Sequence, residues 1–239
     1  MSELTDGHIV KRYNDELEEL NQMAIKMAGL VRRQIRDASR TLQDEDVDSA
    51  HIVVERDKAI DGLEVEIDDK ILHLIAKRQP VAKDLREVLA VGKIVSDLER
   101  IGDQARRLAR LTILFYDGDH SPPNYQLIAD IPKLAKLVDS MVEKSILSFE
   151  KLSPELALEV VRMEGELDEE MKSALRRLST FLLEDARSVG YVVDITLTLR
   201  ALERIGGHAK YIARHSIFLV KGKDVRHESL EEVTAEVLQ

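Results

Sequence analysis

The chain has 239 residues, 44% hydrophobic but only 4% aromatic, with eleven glycines, five prolines and a formal net charge of −10. So few turn-forming residues exclude a many-stranded β protein, and the acidic balance disfavours non-specific nucleic-acid binding. The absence of cysteine excludes a disulfide framework, a thiolate metal site and a cysteine nucleophile.

The opening MSELTDGHIVKRYNDELEEL lacks the basic-then-apolar pattern of a secretory signal. No run reaches the ~18–20 apolar residues that span a bilayer. The expectation is a soluble, cytoplasmic protein that meets a membrane only through a partner or at its surface. From Tyr13, apolar residues recur at Leu17, Leu20, Ala24, Met27, Val31, Ile35, Ala38 and Leu42, an alternating 3–4 spacing that predicts one long amphipathic helix. Asp44 or Asp46 caps the next, which runs to about Arg78 with Val53, Ile60, Leu63, Ile67, Ile71 and Leu74 inward, until Pro80 breaks it. A third helix spans about Ala82–Tyr116. The segment Asp117–Asn124, DGDHSPPN, is the one stretch with linker composition. A fourth helix covers Tyr125–Lys151. Ser153 as N-cap and Pro154 at the first helical position start a fifth, to about Glu184. A sixth runs from about Arg187 to Val220, and an acidic tail follows Lys221-Gly222-Lys223, either frayed or docked.

The third and sixth helices carry a repeat. Leu98–Arg110, LERIGDQARRLAR, and Leu202–Arg214, LERIGGHAKYIAR, align without a gap and share eight of thirteen positions, which argues for internal duplication. Leu98, Ile101, Ala105 and Leu108 form one apolar stripe, as do Leu202, Ile205, Ala209 and Ile212. Gly102 and Gly206 occupy matching mid-helix positions, where glycine costs about 1 kcal/mol relative to alanine; a missing side chain there lets another helix or a ligand come close. Three helices, a linker and three helices predict an all-α fold of two tandem three-helix bundles, six long antiparallel helices related by a pseudo-twofold. The boundaries are 1–119 for the first bundle, 120–124 for the linker, 125–222 for the second bundle and 223–239 for the tail.

Acids recur at helical spacing. Asp57/Asp61 in the second helix matches Glu164/Asp168 in the fifth, and Glu99/Asp103 matches Glu203/Gly207. Each complete pair sets two carboxylates one turn apart, a repulsion of a few tenths of a kcal/mol on a bare helix. Two readings remain open. The pairs are solvated charge stripes neutralised by neighbours such as Arg106 and Arg107, or they converge between helices on a hard cation, Mg²⁺, Mn²⁺ or ferric iron. No histidine has Glu three residues before it, as a di-iron bundle wants; His208 and His215 read as surface or interface residues. There is no phosphate-cradling glycine loop, dinucleotide fingerprint or nucleophile elbow, so no catalytic residue is assigned. Lys77-Arg78 and Arg106-Arg107 read as partners for neighbouring acids.

Leu98-Glu-Arg-Ile-Gly-Asp103, Leu202-Glu-Arg-Ile-Gly206, Arg78-Gln-Pro-Val-Ala-Lys-Asp-Leu-Arg86 and Ile217-Phe-Leu-Val-Lys-Gly-Lys-Asp-Val-Arg-His227 resemble the PhoU family over nearly the whole chain. The resemblance implies two tandem three-helix bundles, a homodimer and a bacterial cytoplasmic location. It implies a non-enzymatic negative regulator that links the ATPase subunit of the Pst phosphate transporter to a phosphate-sensing membrane histidine kinase and keeps starvation genes off when phosphate is plentiful. It also implies bound metal, with Fe, Mn, Mg or Zn as candidates, held by acid-x-x-x-acid motifs that fall on Asp57, Asp61, Glu99, Asp103, Glu164, Asp168 and Glu203. Gly207 stands where the family pattern has Asp, so the second bundle lacks one expected ligand. Two other classes stay open beside the adaptor: a metal-dependent enzyme on a helical-bundle scaffold, and a purely structural helical interaction protein.

Overall fold

Apolar side chains at 3–4 spacing along thirty-residue stretches can leave water together only if the helices lie side by side, and they do. The computed structural model describes the backbone of residues 2–118, 121–184 and 186–238, and the side chains of 13–118, 121–183 and 187–238. Helices α1 (Ser2–Asp44), α2 (Val47–Arg78) and α3 (Ala82–Tyr116) pack on one another, as do α5 (Asp130–Glu150), α6 (Pro154–Glu184) and α7 (Val189–Lys221). Two short helices complete the set: α4 (Tyr125–Ile128) before α5, and α8 (Leu230–Leu238) in the tail. No strand occurs among the described residues. The fold is all-α, two three-helix bundles, as the spacing predicts. Asp119 and His120, at the predicted junction between the first bundle and the linker, lie outside the described residues.

The ends follow local rules. Asp46 is the N-cap of α2, its carboxylate accepting from the Ser49 N–H at 2.9 Å. Ser153 Oγ accepts from the Leu156 N–H at 3.3 Å at the head of α6. Gly222 closes α7 at φ 78°, a left-handed conformation that glycine adopts without strain. The single predicted helix Tyr125–Lys151 is instead interrupted at Ala129, which separates α4 from α5. Pro132 is the reason: it has no N–H to give the Ile128 carbonyl, so the ladder breaks while the backbone stays helical.

The repeated stretches face each other across the molecule. α3 and α7 pack extensively on one another and run antiparallel, with Phe115 edge-on to Tyr191 at 5.5 Å near one end. All eight stripe residues, Leu98, Ile101, Ala105, Leu108, Leu202, Ile205, Ala209 and Ile212, are buried, and the buried side chains of both halves form one continuous core. A second seam joins α1 to α5, where Arg32 and Arg36 hold Asp139 at 3.1 and 2.8 Å. The tail is docked: Val225, Val233 and Val237 are buried, and α8 lies on α6.

Gly102 and Gly206 give room to a helix. A Cβ on Gly102 would meet Ile60 at 3.2 Å, and one on Gly206 would lie 2.2 Å from Leu167 Cδ2 and 3.4 Å from Met141 Sδ. Gly207, by contrast, has open space, and α7 runs through both glycines without a break. The two neighbours should therefore respond oppositely to alanine. Gly206→Ala is expected to lower stability by about 1–2 kcal/mol through overpacking, whereas Gly207→Ala is expected to raise it by about 0.5–1 kcal/mol through helix propensity. Urea denaturation of both variants checks this, and shifts of the same sign would remove close packing as the explanation.

Candidate functional site

Of the seven acids singled out by spacing, α2 and α3 bring four into one neighbourhood. Asp57 is almost completely buried, 1% exposed, at the contact of α1, α2 and α3. Gln34 of α1 donates to its Oδ1 at 2.7 Å and to the Gly102 carbonyl at 3.2 Å. The other Asp57 oxygen accepts from Arg106, which also donates to Asp103 Oδ1 at 2.5 Å. Burial pushes the Asp57 carboxyl above its ordinary 3.8, against the hydrogen bond from Gln34 and the charge of Arg106, with Asp61 and Asp103 adding to the rise. Glu99 is raised by burial first, then by Asp103, Glu64, Asp61 and Asp57. Glu64 is raised by burial and by Asp68 and Asp61.

Glu64 thus joins the cluster although the pair motif does not include it. It lies seven residues after Asp57, on the same helix face, and carrying the i+4 search on to i+7 finds it. The chemistry of this donor set suits a hard cation, since carboxyls raised by one another gain from any positive charge among them. The positive charge in place is the Arg106 guanidinium, set between Asp57 and Asp103. Among the described residues no three acidic or histidine side chains converge on one point as they stand.

The second half repeats the ion pair rather than the cluster. Lys210, the counterpart of Arg106 in the gapless alignment, bonds Glu164, the counterpart of Asp57. Glu203 accepts from Arg200 at 2.7 and 3.0 Å, and exposed Asp168 lies within the field of Lys172. Each acid here has its own base, so the structure does not gather Glu164, Asp168 and Glu203 into one site. Of the basic pairs, Arg78 binds Glu16 through two 2.9 Å bonds and Arg106 meets its acids, as expected. Arg107 does not: it turns into a groove between α3 and α7.

One polar cluster has no counterpart in the spacing argument. Asp97 of α3 is buried against α7, 9% exposed, with His208 Nδ1 at 2.9 Å from Oδ1 and His215 Nε2 at 3.5 Å from Oδ2. Burial alone would raise this carboxyl; the hydrogen bonds and charge of the two histidines outweigh it and hold it below 3.8. The two histidines are interface residues of the seam between the halves.

Comparison with known proteins agrees with this duplicated architecture. The profile of the PhoU domain matches residues 24–112 and 131–216, once in each half. A phosphate-specific transport system accessory protein PhoU homolog of Pseudomonas putida is 40% identical over 230 residues, 96% of this chain and 89% of its own. The accessory protein PhoU of Escherichia coli is 32% identical over 95% of this chain and 92% of its own. The crystal structure of PhoU from Pseudomonas aeruginosa superposes with a TM-score of 0.82 at 39% identity, covering 88% of this chain and all of that one. With both halves matched and relatives aligned along nearly their full lengths, the chain belongs to the PhoU family.

Proposed function

We propose that this protein is a cytoplasmic, non-enzymatic negative regulator of phosphate uptake and phosphate-starvation signalling. In this reading it acts as a homodimer and couples the ATPase subunit of a Pst-type phosphate transporter to a sensor histidine kinase. The observation that carries it is near full-length correspondence to proteins named as accessory components of a phosphate-specific transport system. Among the described residues no helix is long and apolar enough to cross a membrane, so contact with membrane components runs through partners. The long charged faces of α2 and α6 supply such surfaces. A regulator of this kind needs no chemical step: it biases a kinase by binding one state more tightly, and a tenfold bias takes only about 1.4 kcal/mol of differential affinity. Deleting the gene should switch a starvation-responsive reporter on in excess phosphate, and complementation should silence it. A reporter as silent as in the parent strain would sink the adaptor reading.

A second reading adds a metal ion to the first half, on the observation that the carboxyls of Asp57, Glu64 and Glu99 are all raised, by burial first and then by neighbouring acids among which Asp61 acts on all three. Asp57, Asp61, Glu99 and Asp103 would hold it, and the charge it supplies would offset their repulsion. Glu164, Asp168 and Glu203, one carboxylate short and each already paired or near a base, would hold it more weakly. Metal content after loading with Mn²⁺ is expected to fall in Asp103→Asn and to rise in Gly207→Asp. Equal content in both variants and wild type would rule out carboxylate ligation.

A further inference from the structure

The face of the α3–α7 seam beside Arg107 is charged against the character of the chain. In a protein of net charge −10, the charged side chains lining this groove are four arginines, Arg107, Arg110, Arg200 and Arg204, and a single acid, Asp194. Arg200 is engaged with Glu203 at 2.7 Å. Arg107, Arg110 and Arg204 are exposed and, among the described residues, no carboxylate lies within ion-pair distance of any of them. The groove floor is apolar, with Leu111 buried and Leu114 and Leu197 left 52% and 64% exposed. The cavity encloses about 310 Å³, room for a few side chains.

The internal duplication shows what such a ridge accepts. Arg110 corresponds to Arg214 in the gapless repeat. Arg214 is not free: its guanidinium donates to the backbone carbonyls of Arg226 and of Glu228, the latter at 3.1 Å. At that end of the α3–α7 pair the chain's own tail lies across Arg214, a segment with Val225 fully buried and a turn at Arg226–His227, continuing into the Glu-rich helix α8. Lys93, which the same correspondence matches to Leu197, adds its positive charge beside Asp224. The pseudo-twofold therefore places a tail-covered arginine, Arg214, at one end of the seam and its uncovered counterpart, Arg110, at the other.

We infer that the Arg107–Arg110–Arg204 groove is a docking site for an acidic peptide segment of a partner protein, one that carries apolar residues between its carboxylates. Carboxylates meet three unanswered guanidinium groups, which favour bidentate pairing, while Leu or Val side chains cover Leu114 and Leu197. The inference rests on the adaptor reading only for the partner's place in the cell. Binding is measured on purified protein, so its failure and that of the reporter experiment are separate results.

The test is fluorescence anisotropy with full-length protein and a labelled peptide of the tail's own sequence, residues 223–239, which has five carboxylates against two bases. Wild type should bind it, more weakly as salt is raised. The combined variant Arg107→Glu, Arg110→Glu, Arg204→Glu should bind at least roughly tenfold more weakly, as expected for three lost ion pairs, with an unchanged circular-dichroism spectrum because these side chains are exposed. Arg214→Ala should leave binding intact. A peptide with Ser in place of its Leu and Val should lose most of its affinity. Undiminished binding to the triple variant, or loss in Arg214→Ala instead, would mean that the peptide merely exchanges with the resident tail and would overturn the inference. So would displacement by inorganic phosphate but not by sulfate at equal ionic strength, which marks a free-anion site. Concentration-dependent self-association abolished by the triple variant would make a second copy the occupant and would equally overturn it.

Discussion

Asp97→Ala is expected to lower stability by about 2–4 kcal/mol, the usual cost of leaving buried polar partners unanswered. In a chain of this size that is a fall in Tm of roughly 5–12 °C. The carboxylate lies in the seam between the halves, where His208 and His215 of α7 have it as their acidic partner; without it, a buried ring and a part-buried one lose that partner where α3 packs on α7. The pH dependence follows from the depressed carboxyl. Its folded value lies below 3.8, so the folded state binds fewer protons than the unfolded state in the interval just below 3.8. The stability it contributes is present above that value and is lost as pH falls through the folded pKa. The gap between wild type and Asp97→Ala should accordingly close in acid as the carboxyl is protonated. A double-mutant cycle with His208→Ala measures the contact itself. Strict additivity would show that the 2.9 Å bond contributes nothing and that the loss belongs to packing alone.

This cluster also marks the limit of reading the chain by itself. Spacing within a helix reports what shares a face, so the eight stripe residues, the long helices and the caps at Asp46 and Ser153 follow from local order, and apart from the break at Ala129 they are where that order puts them. Asp97 and His208 are 111 residues apart and carry no periodic signal. They meet because two copies of one stretch pack antiparallel, and only the packing tells which polar residue falls in the seam. Asp57 is an intermediate case. Its pairing with Asp61 by spacing is correct, but its burial depends on Gln34 reaching across from α1. Its neutralisation depends on Arg106, a residue legible as a base but not as the particular partner of Asp57. The break at Ala129 was legible in principle, since Pro132 sits two residues into α5, where its missing N–H interrupts a ladder that the apolar spacing carries straight through. The docking of α8 was not: a nine-residue acidic helix has too few local hydrogen bonds to persist alone, and it holds because Val233 and Val237 find an apolar surface on α6.

Arg106→Ala removes the guanidinium from between Asp57 and Asp103, and in metal-free buffer it is expected to cost about 2–3 kcal/mol. Removing one partner of a fully buried pair costs about 3–5 kcal/mol, but Arg106 itself is 27% exposed, so part of its charge is already screened and the lower figure applies. Asp57 keeps its bond from Gln34 and loses its compensating charge, so its carboxyl, already raised by burial, rises further. A raised carboxyl makes the folded state bind more protons than the unfolded state at pH values above 3.8, so stability falls as pH climbs from 3.8 through the folded value. The penalty in Arg106→Ala should then be smaller at mildly acid pH than at neutral pH, in a window above 3.8, whereas the Asp97→Ala penalty shrinks only below it. Arg106→Ala also separates the two readings of the acidic cluster. If the carboxylates of α2 and α3 hold a hard cation, removing the competing guanidinium frees Asp57 and Asp103 as donors, and millimolar Mn²⁺ should restore stability by binding the folded state, about 2.7 kcal/mol at a hundredfold excess over Kd. Thermal unfolding of wild type and Arg106→Ala with and without Mn²⁺ decides it. A variant that stays equally destabilised at every Mn²⁺ concentration would leave the cluster as a structural ion pair, built to fasten α3 onto α2 through Asp57.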